Sequence, residues 1–174
     1  MAKGQEQAAP DAVLTRIGQV VMLHHAGDRE EARHRFLVLW AEIGEHGDPL
    51  HRCTLAHYLA DTQDDPGDEL AWDLRALSAA EEITQGHGAE HHEGMPAARA
   101  LYPSLHLDLA ADYDRLGHRE AARVHLRQAR AAAEALADDR YGEGVRAAIR
   151  RLESRLGDGG PAPDGPWGPP RQRP

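Results

Sequence analysis

Cysteine is nearly absent: Cys53 is the single one in 174 residues, so no internal disulfide framework can brace this chain. Aromatic residues make up only 5%, with one Phe, whereas a β-sandwich or barrel would draw on more Tyr and Phe alongside Val and Ile. Positive charge is also short. Against 29 acidic residues stand 20 basic ones, a formal net charge of −9 that argues against indiscriminate binding to nucleic acid or to an anionic membrane. Lys3 is the sole lysine. Nowhere do eighteen apolar residues follow one another, and the opening segment Met1 to Gln7 has no apolar run behind its lysine, so the reading is of no signal peptide and no membrane span. With one cysteine and no secretory signal, the expected compartment is the reducing cytoplasm.

What is present is alanine, leucine, arginine and twelve histidines, with 41% hydrophobic and 28% charged positions. That is the balance of a helical protein, and 174 residues are room for one domain with its own core. The dominance of Ala, Arg, Gly and Asp matches a high-GC bacterial genome and weakens any argument from arginine count. Apolar residues recur at helical spacing in seven stretches: Val13, Ile17, Val20, Leu23; Ala32, Phe36, Leu39, Ile43; Leu55, Leu59; Leu70, Leu74, Leu77; Leu105, Leu109, Tyr113, Leu116; Ala122, Leu126, Ala129, Ala133, Leu136; and Val145, Ile149, Leu152, Leu156. No β alternation is worth a strand. The expected fold is therefore all-α, with residues 11–156 as the folded domain and polar or Pro/Gly-rich, disordered ends at 1–10 and 157–174.

The breaks carry turn chemistry. Gly27-Asp28 offers a C-cap glycine followed by an N-cap acid, with Glu30 and Glu31 suited to the helix dipole. Gly117-His118 repeats that turn, and Asp65-Pro66 is an N-cap acid with proline at the first helical position. Gly44 to Pro49 and Gly86 to Pro96 are the longer links, and Tyr102-Pro103 reads as another helix start.

Superimposing the two glycine turns exposes an internal repeat. Val20, Leu23, Gly27, Ala32, Phe36 and Leu39 stand at the same offsets as Ala110, Tyr113, Gly117, Ala122, Leu126 and Ala129. A helix, a glycine turn, an alanine, and then Phe or Leu four residues on is the pattern of a helical hairpin whose small residues let two helices approach closely. This resembles the tetratricopeptide repeat (TPR), best in the segment LHLDLAADYDRLGHREAARVHLRQA, with a divergent middle unit around Ala56, Leu59, Leu70, Leu74 and Leu77. The resemblance spans roughly residues 11–137 and implies a TPR-like α-solenoid of about three hairpins, closed by a C-terminal capping helix.

The same resemblance implies a non-catalytic adaptor whose first helices line a groove for a protein or peptide segment. Mapped onto this chain, the groove positions include Ile17, Val21, His24, His25, His57, Leu107, Ala111, Asp114 and Arg115. Apolar Ile17, Val21, Leu107 and Ala111 stand where carboxylate-clamping TPR domains carry Lys, Asn and Arg, so a chaperone tail is not the expected ligand. No Ser, His and acid are spaced as in a hydrolase with a glycine elbow, and no catalytic residue or organic cofactor is expected. Gly142-Glu143-Gly144 imitates a dinucleotide fingerprint but follows a helix rather than a strand.

Two other readings stand beside the adaptor. One is a regulatory module of a transcription or signalling system. The other is a zinc-binding helical protein: Cys53, His57 and Asp61 recur every fourth residue on one helix, with His24 and His25 on the neighbouring repeat, although capping explains the acids from Asp61 to Glu69 and no calcium-loop spacing is present. His87, His91 and His92 in a glycine-rich link read as a solvated loop able to take up stray metal. Charge divides along the chain, −11 over residues 1–95 and +2 over 96–157. Arg119, Arg123, Arg127 and Arg130 form a stripe that reads as a solvated outer face, with an acidic docking partner as its functional alternative.

Overall fold

The computed structural model describes residues 11–86 and 93–157, so the expectations for residues 1–10, for His87, His91 and His92, and for the tail beyond residue 157 lie outside the described residues. Among the described residues seven helices follow one another: α1 (Ala12–His25), α2 (Arg29–Ile43), α3 (Pro49–Asp61), α4 (Pro66–Gln85), α5 (Met95–Arg115), α6 (Arg119–Ala133) and α7 (Arg140–Gly157). Among the described residues there is no strand, as the periodicity predicts.

The two glycine turns have the same backbone. Gly27 and Gly117 take φ of 99° and 82°, a region that costs glycine little and other residues much. In each, the residue after the glycine donates its N–H back across the turn, Asp28 to the Leu23 carbonyl and His118 to the Tyr113 carbonyl, and the glycine N–H goes to the carbonyl three residues earlier. Helix starts are held differently from expectation in one place. Asp65 accepts from the Gly67 and Asp68 N–H groups as its Asp-Pro signal predicts, but the Asp28 side chain makes no cap bond. Asp11 and Asp48, which the sequence reading passed over, cap α1 and α3 in the same way as Asp65.

Pro103 is also a correction. It does not start a helix; α5 begins at Met95 and runs through the proline as one 21-residue helix. An internal proline forfeits a backbone hydrogen bond and crowds the preceding turn. Burial of Pro103 within a helix packed on both α4 and α6 offsets that local cost.

Among the described residues three cores follow one another along the chain. The first joins Ile17, Val20, Phe36, Leu39, Leu55 and Leu59; the second Cys53, Ala56, Ala76, Ala80 and Leu105; the third Ala110, Ala122, Leu126, Ala129, Val145, Ile149, Leu152 and Leu156. They share α3 and α5. Each helix packs on its successor, except that beyond this α1, α3, α5 and α7 also touch in series, whereas no two even-numbered helices meet among the described residues. Where the repeat places small residues, Ala110 and Ala122 are fully buried. Ala110→Leu should therefore overpack the α5–α6 contact and cost about 1–3 kcal/mol, while Ala131→Leu on the exposed side of α6 should cost little. Chemical denaturation of both variants checks this, and equal losses would contradict the register.

Between α5 and α6 runs a ladder of rings. Tyr102 stacks on His106, His106 on His125 and His125 on Tyr113, at centroid separations of 5.9, 5.3 and 5.4 Å, with the His106 and His125 Nδ1 atoms 3.1 Å apart. Burial first, and then the neighbouring His125, push the His106 pKa down to about 4. Because the unfolded chain takes up this proton near pH 6.5, the ladder's contribution is present above that pH and is lost as pH falls. His106→Phe should keep the stack and reduce the loss of stability between pH 7 and pH 5 by roughly 1–2 kcal/mol, read from denaturation at both pH values.

Candidate functional site

The face lined by the odd-numbered helices is where the groove residues fall, and the structure sorts them. Ile17 is only 1% exposed, inside the first core, and so offers nothing to a partner. Val21, Leu107 and Ala111 are half-buried, each resting on a core with part of its surface outward. His25 is exposed and His24 half-buried, their rings 5.9 Å apart. Asp114 is tied to α7 through Arg155 Nε at 3.0 Å.

Cys53 is a further correction. It is 0% exposed, enclosed by Ala56, Ala76, Ala79, Ala80 and Leu105, and burial pushes its thiol up to about 12. A thiol so held is inert as a ligand. Alanines of α4 close over Cys53, while one turn earlier in α4 stands Asp73, which faces His57. Two residues four apart on one helix thus meet different surroundings because the neighbouring helix changes from alanine to aspartate.

His57 belongs instead to a cluster of acids of which the sequence pattern points to Asp61 and Glu69 but not to Asp73, Asp108 or Asp112. Five carboxyl groups, Asp61, Glu69, Asp73, Asp108 and Asp112, act on one another here, with Arg115 as their cationic partner. A ring nitrogen of His57 and oxygens of Asp73 and Asp108 all lie within 4.8 Å of one another, as do oxygens of Glu69, Asp73 and Asp112. Arg115 Nη2 reaches Glu69 Oε2 at 2.7 Å and Asp112 Oδ1 at 2.5 Å, so the second group is partly neutralised. The first feels Arg115 only from a distance: His57 Nδ1 stands 3.3 Å from Asp108 Oδ2 without the alignment of a hydrogen bond.

Electrostatics follow from this crowding. Burial, and then the neighbouring Asp108 and Asp112, hold the Asp73 carboxyl far above the usual carboxylate range, so it keeps its proton at neutral pH. Asp108 and Asp61 are displaced upward too, by burial first, although both are reachable by water. That combination suits the floor of a concavity rather than a convex surface. His24 and His25 both favour the charged form of Asp61, which places α1 at the rim of the same cluster. Of the zinc candidates, then, only His57 stands within ligand reach of two acids among the described residues, Asp73 and Asp108; Asp61, His24 and His25 act on the cluster through charge, and Cys53 is sealed away.

A signal for the missed acids was present. Asp73 lies between Leu70 and Leu77, and Asp112 seven residues after Leu105, each on an apolar stripe where a leucine would be expected. Glu69 with Asp73 and Asp108 with Asp112 are also pairs spaced four apart, which a helix places on one face.

The arginine stripe has structural work of its own. Arg119 and Arg123 both donate to the Leu156 carbonyl at the end of α7, and Arg130 pairs with Glu153. Gly142 and Gly144 lie inside α7, and a Cβ on Gly142 would come within 2.1 Å of the Ala137 carbonyl oxygen, so close packing explains that glycine without a nucleotide. No helix among the described residues is long and apolar enough to cross a membrane. No protein-family model, no curated protein and no solved structure matches this chain.

Proposed function

We propose that this chain is a non-catalytic, TPR-like helical-repeat module that captures a protein or peptide segment along the face formed by α1, α3, α5 and α7. The observation that carries the reading is the serial contact of the odd-numbered helices without any counterpart among the even-numbered ones. Helical hairpins stacked with a constant small rotation bring one helix of each pair together and splay the other, which makes an elongated concave surface. The repeated glycine turns and the matching buried positions in the first and third hairpins support the same arrangement.

The ligand's chemistry follows from what the face offers. Half-buried Val21, Leu107 and Ala111 give apolar footing, and the acid cluster with exposed Asp61 sets a negative field between them. A segment pairing an apolar side chain with basic ones is complementary to it. Ile17 takes no part, because it is spent on the core.

A random peptide library displayed on phage and selected against the full chain tests this. Selected peptides should be enriched in Arg or Lys beside an apolar residue and should bind at least tenfold more weakly to Leu107→Arg and to His25→Arg, both checked for helical content. Arg127→Glu, on the exposed side of α6, should bind as wild type. Peptides whose binding survives both groove changes and fails with Arg127→Glu would move the interface to the arginine stripe.

A further inference from the structure

Most polar groups of the groove have evident partners, but the buried Nδ1 of His57 has none. Asp73 and Asp112 are each 1% exposed and share a hydrogen bond, in which the protonated Asp73 carboxyl donates to Asp112. A buried polar atom left unsatisfied is costly, and a ligand that completes its coordination offsets that cost. Arg115 already serves Glu69 and Asp112. It leaves His57, Asp73 and Asp108 as three converging donors from three successive helices, with the Arg115 contacts made to Glu69 and Asp112 instead.

We propose that His57, Asp73 and Asp108 bind one first-row divalent transition-metal ion, of which zinc is the best fit. One imidazole nitrogen and two carboxylate oxygens are the donor types such ions take, whereas calcium asks for six or more oxygens and magnesium for a largely hydrated octahedron. Donors about 2.1 Å from a tetrahedral ion sit about 3.4 Å from one another, and the three groups, all within 4.8 Å, reach that spacing by side-chain adjustment alone. Asp108 is 35% exposed, so the ion's remaining position opens toward the groove. Asp112 and Arg115 act as positioning residues: the guanidinium holds Asp112 beside Asp73 and keeps Glu69 away from the ion. The ion would also relieve the crowding of acids that converge here from α4 and α5.

This site goes beyond peptide capture and does not depend on it, since the ion needs no segment in the groove. The test is calorimetric titration of zinc into the dialysed full chain at pH 7, in two buffers of different ionisation enthalpy. Four proteins are compared: wild type, Asp73→Asn, Asp108→Asn, and a triple variant with His87, His91 and His92 replaced by Ala. Wild type and the triple variant should bind one equivalent, with proton release seen as buffer-dependent heat. Asp73→Asn and Asp108→Asn should bind at least tenfold more weakly. Manganese should bind at the same residues with lower affinity. Helical content and melting in chelator keep the result readable, because Asp73→Asn should be no less stable than wild type without metal. Equal zinc binding by wild type and both Asn variants would overturn the site, as would binding that disappears only in the triple variant, an absence of binding by wild type, or calcium binding more tightly than zinc.

Discussion

Asp73→Asn should stabilise the metal-free protein by roughly 1–3 kcal/mol at pH 8, an unusual gain for a change at a fully buried position. The reason is electrostatic. In the unfolded chain this acid ionises near its ordinary value of 3.8, whereas in the folded protein burial and the adjacent Asp108 and Asp112 hold its proton on to far higher pH. Between those limits the folded state binds more protons than the unfolded one, so stability falls as pH rises. Asparagine has no proton to lose, and its amide can donate to Asp112. The effect is confined to conditions without metal, so urea denaturation in chelator at pH 7, 8 and 9 is the measurement. Wild type should weaken steadily across that range and Asp73→Asn should weaken clearly less, its remaining slope coming from Asp108 and, toward pH 9, from the buried Cys53 thiol. A variant that is less stable at all three values would mean that Asp73 is charged and satisfied in the native fold.

Phe36→Ala should carry the largest loss, about 3–5 kcal/mol, because Phe36 is fully buried at the centre of the first core and stacks on Tyr58 at 6.2 Å. Its second consequence bears on architecture. The first and third cores share no residue and are bridged only through α3, α4 and α5. In a stack of repeats whose stability is a sum of local and neighbour terms, damage at one end loosens that end first. Native-state hydrogen exchange of the variant should therefore show amide protection falling steeply over residues 12–43 and far less over residues 119–157. Uniform loss across the chain would mark a single cooperative unit and count against the solenoid reading.

How far the sequence could be read differs between fold and site. The stripes from Val13 to Leu23 and from Val145 to Leu156 predict α1 and α7, because helical period is a local property that survives any tertiary arrangement. The turns at Gly27 and Gly117 were legible for the same reason: positive φ is a matter of one residue's own sterics. Pro103 was misread because its local rule is a preference, and packing on both sides of α5 outweighs it. Asp28 was misread because a capping signal states which residue can cap, and the backbone there already closes the turn through the Leu23 carbonyl.

The convergence of acids on His57 lay beyond such rules. His57 was singled out with Cys53 because they share a helix face, yet what each side chain meets is set by α4, which sets alanines against one and Asp73 beside the other. The acids of α4 and α5 are thirty-five residues or more apart in the chain for Asp73 and Asp108, and no periodicity links them. Helix content, the repeated turns and the apolar stripes were determined by the sequence alone, since each depends on interactions within a few residues. Which carboxyls converge, which of them Arg115 neutralises and whether Cys53 is sealed away were decided only by tertiary packing, since charge and solvation in a buried site depend on every group brought near it, whatever its place in the chain.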